Sequence, residues 1–251
     1  MGKVKSLALV GYTGFVGSNI LSYFKNKKLR IKKYNSKNID SIYKKNFTYL
    51  VFAGLPATKW KINQNPKKDM RNINYILKLL KTIKVEKFIL ISTIDIYNTK
   101  EAYGKNRFFF EKSILKIFKS STIFRLPALF GPGLKKNILF DLINKNEVEK
   151  ININNFYQWL NIDDLNFELN KTLNRQQDKS NIVELFTEPI KTEQICKLFN
   201  IKTNYNKNFN KKVVYNYKPE AGYYKKKTVV LKEIKMFIKD KRWKLKEQFH
   251  F

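Results

Sequence analysis

The sequence predicts an α/β fold: a doubly wound parallel sheet covered by helices on both faces, followed by a small C-terminal lobe. Three observations carry this. Short apolar runs alternate with amphipathic stretches through the first half of the chain. The first apolar run breaks into three evenly spaced glycines. The chain has 251 residues, 43% of them apolar, which is enough for one large core with a smaller lobe.

The elements follow in order. "SLALVGY" is a short apolar run ending in "TGFVG", which reads as a first strand and its turn. "FVGSNILSYFKNK" has helical spacing, "LRIKKYN" reads as a second strand and "FTYLVFAG" as a third. "DMRNINYILKLLKTI" places Ile and Leu at helical intervals, and "KFILIST" is a fourth strand. "YGKNRFFFEKSILKIFKS" is a helix and "STIFRLPA" a strand. Beyond about residue 131 the alternation weakens and turn signals such as "GPG" appear. "YYKKKTVVLKEIKMFIKDKRWKLKEQ" reads as a charged amphipathic helix with a basic tail.

No run of about 18 apolar residues occurs, so no membrane span is expected. The basic and then apolar start is too short for a signal peptide and runs into the glycines, so it reads as a strand. The single Cys196 has no partner for an internal disulfide, which fits a reducing cytoplasm. The formal charge of +31 raises nucleic acid as a ligand. Only six of the 51 basic residues are arginine, however, and the lysines are spread along an Asn- and Ile-rich chain. That is the mixture an AT-rich genome encodes, while phosphate-backbone binding wants a concentrated patch. Nucleic acid is therefore not the expected partner.

The chemistry-bearing residues gather at strand ends. "GYTGFVG" sets Gly11, Gly14 and Gly17 between a strand and a helix. Glycine lets backbone approach a pyrophosphate, and the free amides of a helix start favour its charge. Thr13, Phe15 and Val16 belong to the same turn, and Ala53 and Gly54 end the third strand. After the second strand, "YNSKN" gives Asn35, Ser36 and Lys37 but no carboxylate to bond a ribose 2′-hydroxyl. A hydroxyl and a cation there suit a 2′-phosphate, so the expected cofactor is NADP, with NAD the alternative. At the end of the fourth strand, Ser92 and Thr93 sit where open α/β sheets bind ligands, though a helix cap would use the same residue types. Tyr103 and Arg107 share a helix face at i and i+4. A hydroxyl, a phenol and a cation beside a nicotinamide make a carbonyl-reducing group. The cation would draw the phenol from about 10 toward neutrality. No metal site is expected.

Taken together, these stretches resemble the extended short-chain dehydrogenases/reductases, of the NAD-dependent epimerase/dehydratase type that modifies nucleotide sugars. "GYTGFVG" resembles the family's glycine motif, "VFAG" its third-strand contact, "RNIN" the start of the Asn-x-x-Gly-Thr helix and "ISTIDIY" its Ser-Ser/Thr-x-x-x-Tyr stretch. "YGKNR" stands for Tyr-x-x-x-Lys, with Glu111 following. "FRLPALFGPG" is similar to Arg-x-x-x-x-Tyr-Gly-Pro, and "YQWLNIDDL" to the segment returning from the substrate lobe. The resemblance implies a Rossmann-type domain over residues 1–131, with 157–175 packing back on it. It implies a substrate lobe and C-terminal helix over 132–251. It makes Thr93, Tyr103 and Arg107 the catalytic group and puts Pro127 near the nicotinamide. Asn137 and Tyr157, with Thr93, become contacts to a nucleotide sugar. It also implies a cytoplasmic homodimer through helices 70–83 and 103–118, working in surface-polysaccharide synthesis. Phe108, Phe109 and Phe110 exceed what one sheet-facing stripe needs.

Three departures stand out. Arg107 replaces lysine and cannot release a proton. The connection from Tyr97 to Tyr103 is short, and the lobe is trimmed. Sugar 4,6-dehydratases of the family carry Thr-Asp-Glu before Val-Tyr, whereas here the residues are Thr93, Ile94 and Asp95. The resemblance therefore implies ketoreduction or C4 epimerisation, with a non-catalytic dinucleotide-binding sensor or scaffold as the alternative. Trp159 is expected in the core or lining the pocket, Asp163 and Asp164 at a helix start, Cys196 as a buried hydrophobe, and His250 without a role.

Overall fold

The structure is a computed structural model that describes residues 4–98, 100–175, 179–200 and 212–240. The chain forms two compact units. The first comprises Met1–Arg125 and Asn166–Val183, the second Leu126–Leu165 and Glu184–Phe251.

In the first unit the expected alternation is present. Strand β1 (Ser6–Val10) leads into helix α1 (Phe15–Phe24), then β2 (Arg30–Tyr34) and β3 (Asn46–Phe52). Two helices follow. The short α2 (Lys59–Gln64) carries no apolar periodicity long enough to be read from sequence. The longer α3 (Pro66–Leu80) begins earlier than its apolar stripe. Asn65 starts α3 by accepting a hydrogen bond from the Lys68 amide, with Pro66 in the first turn, where a missing N–H costs nothing. Strand β4 (Lys84–Thr93), helix α4 (Ala102–Ile117) and strand β5 (Ser121–Leu126) complete the run.

The sheet order is β2-β1-β3-β4-β5-β9, where β9 (Asn181–Glu184) is reached only after the chain has passed through the first segment of the second unit, Leu126–Leu165. Strand β1 pairs parallel with β2 and β3, and β3 with β4. Side-chain alternation explains the burial. Ala8, Val10, Leu50, Phe52, Phe88 and Leu90 join one cluster with Ile73, Ile76 and Leu77 of α3 and Phe110 and Ile114 of α4. The alternate positions Leu7, Leu9, Val51 and Ile89 are just as buried, so both faces of the sheet are covered.

The second unit holds β6 (Ala128–Phe130) and helix α5 (Ile138–Asn144), then β7 (Phe156–Tyr157) and β8 (Trp159–Asn161). It also holds β10 (Ile190–Lys191), α7 (Thr192–Leu198) and α8 (Lys227–Lys239). Strands β6 and β8 pair parallel and β7 and β10 antiparallel. Gln158 ties the unit together. Its amide donates to the carbonyls of Thr187 and Tyr217 and accepts from the Tyr217 amide. Trp159 is fully buried, a core residue. Helix α6 (Ile162–Asn174) starts in this unit and ends in the first. Asp163 and Asp164 lie in its first turn, where the helix dipole favours a carboxylate, and Asp164 pairs with Lys225. The basic tail and His250 lie outside the described residues.

Candidate active site

The sheet order reverses direction between β1 and β3, and the loops leaving their C-terminal ends meet there. This is the switch point at which open α/β sheets bind ligands. The glycines make the meeting possible. Gly11 has φ +87, and a Cβ on it would sit 2.3 Å from the carbonyl oxygen of Ala53. A Cβ on Gly17 would lie 2.1 Å from the Gly11 oxygen, so the first turn of α1 packs directly on the loop. A Cβ on Gly14 would meet only the Gly11 oxygen, at 3.4 Å, so this position at the helix start is less crowded. No side chain caps α1, and its first helical bond runs from the Ser18 amide to the Gly14 oxygen. The amides of Phe15, Val16 and Gly17 are thus the uncapped donors of that turn, behind exposed Thr13. A backbone cradle with free amides fits a dinucleotide pyrophosphate.

Asn35 ties the end of β2 to this turn. Its amide donates to the Tyr12 hydroxyl at 3.3 Å and accepts from the Lys37 amide at 2.9 Å. Ser36 and Lys37 are exposed beside it, and Lys33 stands 5.6 Å over the Tyr12 ring.

Two polar networks converge at the end of β4. In the first, Ser92 donates to Glu111, which pairs with Arg125 at 2.8 Å, and Arg125 donates to the Tyr97 hydroxyl at 2.9 Å. In the second, the Thr93 hydroxyl accepts from the Asp95 amide and donates to the Asp95 carboxylate, both at 3.1 Å. Thr93 is therefore the cap of the 3-10 turn Ile94–Tyr97 as well as the catalytic candidate. Asp95 pairs with Lys59 at 2.8 Å, Lys59 with Glu101 at 2.9 Å, and Glu101 accepts from Asn63 at 2.8 Å. Asn63 in turn accepts from the Tyr103 amide at 2.9 Å.

Helix α4 can start this close because of Gly104. A Cβ there would lie 2.2 Å from the Asp95 carbonyl oxygen and 2.7 Å from that of Asn98. The glycine of "YGKNR" is what makes the short connection from Tyr97 possible. Tyr103 is 7% exposed, with the Arg107 guanidinium 4.7 Å from its ring centroid. The expected fall of its pKa is not found. Burial raises the phenol above its usual range, Arg107 pulls it down less, and Asp95 and Asp69 add to the rise. Arg107 is itself engaged, forming a buried pair with Asp69.

The remaining sequence candidates lie in the second unit. Pro127 is buried. Asn137, at φ +131, accepts from the Phe140 amide and donates to the Leu129 carbonyl, so its amide already serves the start of α5. The Tyr157 hydroxyl accepts from Asn155, and its ring stacks 5.7 Å from Tyr215. Sequence reasoning missed Lys59, Asn63, Asp69 and Glu101 and gave Asp95 no part. Among the described residues no cluster of His, Cys, Asp and Glu could hold a metal ion.

No protein-family model and no curated protein matches the chain. Solved structures do. MoeE5 in complex with UDP-glucose and NAD superposes with a TM-score of 0.71 at 12% identity, over 97% of this chain and 99% of that one. The UDP-glucose 4-epimerase of Thermotoga maritima gives 0.65 at 14%, over 96% and 99%. A dTDP-4-dehydrorhamnose reductase from Clostridium acetobutylicum gives 0.68 at 12%, over 93% and 98%. The fold is that of the extended short-chain dehydrogenases/reductases. Within this short-chain dehydrogenase/reductase fold, the glycine turn and the Tyr103 helix occupy the C-terminal ends of parallel strands.

Proposed function

We propose that this short-chain dehydrogenase/reductase fold carries an NAD(P)-dependent oxidoreductase or epimerase of nucleotide-linked keto sugars, with Tyr103 as the acid/base. One observation carries the reading. Tyr103, against Arg107, begins the helix that follows β4, and Thr93 ends that strand, at the same sheet ends as the glycine cradle. The solved structures with this fold include complexes with UDP-glucose and NAD.

When bound, a reduced nicotinamide would supply hydride to a carbonyl carbon. Tyr103 gives its proton to the carbonyl oxygen, and Thr93 hydrogen-bonds that oxygen in exchange for its contact with Asp95. Gly11, Gly14, Gly17 and the amides of Phe15 and Val16 would hold the cofactor's pyrophosphate. Ser36 and Lys37 favour the 2′-phosphate of NADP. In the second unit, the family resemblance makes Pro127 a candidate nicotinamide contact and Asn137 and Tyr157 candidate contacts to the nucleotide sugar. The reading places the protein in the cytoplasm, making surface-polysaccharide precursors, where a lone buried cysteine stays reduced.

A second reading, a sensor or scaffold that binds dinucleotide without turning it over, is favoured by the Asp69 pairing of Arg107 and the capping use of Thr93. The deciding assay follows NADPH absorbance with a panel of nucleotide-linked 4-keto sugars. The enzyme reading expects turnover that Tyr103→Phe lowers by roughly 10²–10⁴-fold, the usual worth of a positioned acid. If native and Tyr103→Phe proteins are indistinguishable, the sensor reading takes its place.

A further inference from the structure

Arg107 and Asp69 form a closed pair inside the first unit. Nη1 and Nη2 of Arg107 donate to the two carboxylate oxygens of Asp69, both at 3.0 Å. Nη2 also donates to the Pro56 carbonyl at 2.9 Å, and Asn106 donates to Asp69 at 2.8 Å. The two side chains are only 5% and 3% exposed. Asp69 lies in the first turn of α3, where the helix dipole further favours its charged form.

A lone cation 4.7 Å from the Tyr103 ring would favour phenolate. A cation locked to a carboxylate at contact distance presents a dipole instead, whose field falls off faster. The other charged groups around the phenol do not restore the balance. Asp95, from the turn after β4, is paired with Lys59 of α2, which also holds Glu101. Of these groups Arg107, Asp95 and Asp69 act on the phenol, one cation against two carboxylates. Burial is the largest cause of the phenol's raised pKa; Arg107 still pulls it down, while Asp95 and then Asp69 push it up.

We infer that Asp69 is a positioning residue that keeps Tyr103 protonated by engaging Arg107, and so commits the site to donating a proton, the direction of carbonyl reduction. The inference rests on the reading of Tyr103 as the acid/base. In reduction, a bound reduced nicotinamide would supply the hydride that the carbonyl carbon accepts. The phenol O–H bond breaks to give the proton to the carbonyl oxygen, and water then reprotonates the phenolate. Alcohol oxidation, with which an epimerisation begins, needs the phenolate at the outset. The arrangement therefore favours a keto-sugar reductase over an epimerase.

The test titrates the hydroxyl itself. Protein isotope-labelled at tyrosine Cζ is followed by NMR against pH, with the Tyr103 signal identified by its loss in Tyr103→Phe. The native phenol should stay protonated beyond the ordinary tyrosine range. Asp69→Asn should lower its pKa by about one unit or more, because the cation is then unopposed. Arg107→Met, which breaks the same contact, should lower it not at all. Opposite responses to losing one contact separate charge from packing. Reduction should lose activity at lower pH in Asp69→Asn than in the native protein. Native ionisation below about pH 8 overturns the inference, as does an unmoved pKa in Asp69→Asn or a fall in both variants. Should Asp69→Asn not fold, Asp69→Ser takes its place, with the same fall expected and an unmoved pKa again overturning the inference. If the titrations behave as expected while no keto sugar is reduced, the functional reading fails and the role of Asp69 stands.

Discussion

Lys37 stands exposed after β2, in a loop where the Asn38 side chain accepts from the Asn35 amide and the Asn35 side chain from the Lys37 amide. With no carboxylate there to meet a 2′-hydroxyl, NADPH should bind more tightly than NADH. Lys37→Asp should reverse that order, because a carboxylate repels phosphate and accepts from the hydroxyl. Thermal-shift titration of both cofactors with both proteins checks it, since a ligand of the native state raises apparent stability. Equal binding by the native protein would defeat the expectation. At this scale the sequence shows which residues could act and not what already holds them. Asn137 is recognisable as a polar side chain in the right stretch, yet its amide is taken by the Phe140 amide and the Leu129 carbonyl. Arg107 is legible as a cation beside Tyr103. Asp69, 38 positions earlier, leaves no periodic signal that it will neutralise that cation.

Among the elements, the turn after β4 and the start of α4 depend on Gly104. Gly104→Ala would drive a methyl group into backbone oxygens of Asp95 and Asn98, which cannot swing away as a side chain can. The expected cost is about 1–3 kcal/mol or more, as for other overpacked sites, while Lys105→Ala on the exposed face changes little. Urea unfolding of both variants measures it, and equal midpoints would show that the helix start can shift. Strands and long helices were legible because their apolar spacing persists over many residues. Helix α2 was not, since its six residues bury only Ile62. Its part is to carry Lys59 and Asn63 to partners in the segment 95–103, pairs that only the folded chain brings together.

For the whole molecule, the apolar surface of α3 and α4 exceeds what the sheet covers. Phe109 and Tyr75 are each 43% exposed, while Phe110 on the same helix is buried in the core. The expected assembly is a homodimer through helices 70–83 and 103–118, seen by light scattering at micromolar concentration. Phe109→Lys should weaken it. A monomer at that concentration would count against the expectation. No helix among the described residues is long and apolar enough to cross a membrane.

The first unit is discontinuous, and that sets an order on its making. Strand β9, the last of the six, follows the 40 residues Leu126–Leu165 that belong to the second unit. A ribosome reading from the N-terminus exposes five strands and then must deliver that insertion before the sixth arrives. Through that interval β5 is an open edge, with unpaired amides and carbonyls on strands that are otherwise buried. Lys87 waits likewise, because the carbonyls of Thr172 and Arg175 that accept from its ammonium have not yet been synthesised. Closure of the sheet is therefore a late, long-range event, the kind that slows folding and leaves nascent chains open to wrong pairing. The elongation rate between residues 125 and 184 thus becomes a determinant of how much chain reaches the native state.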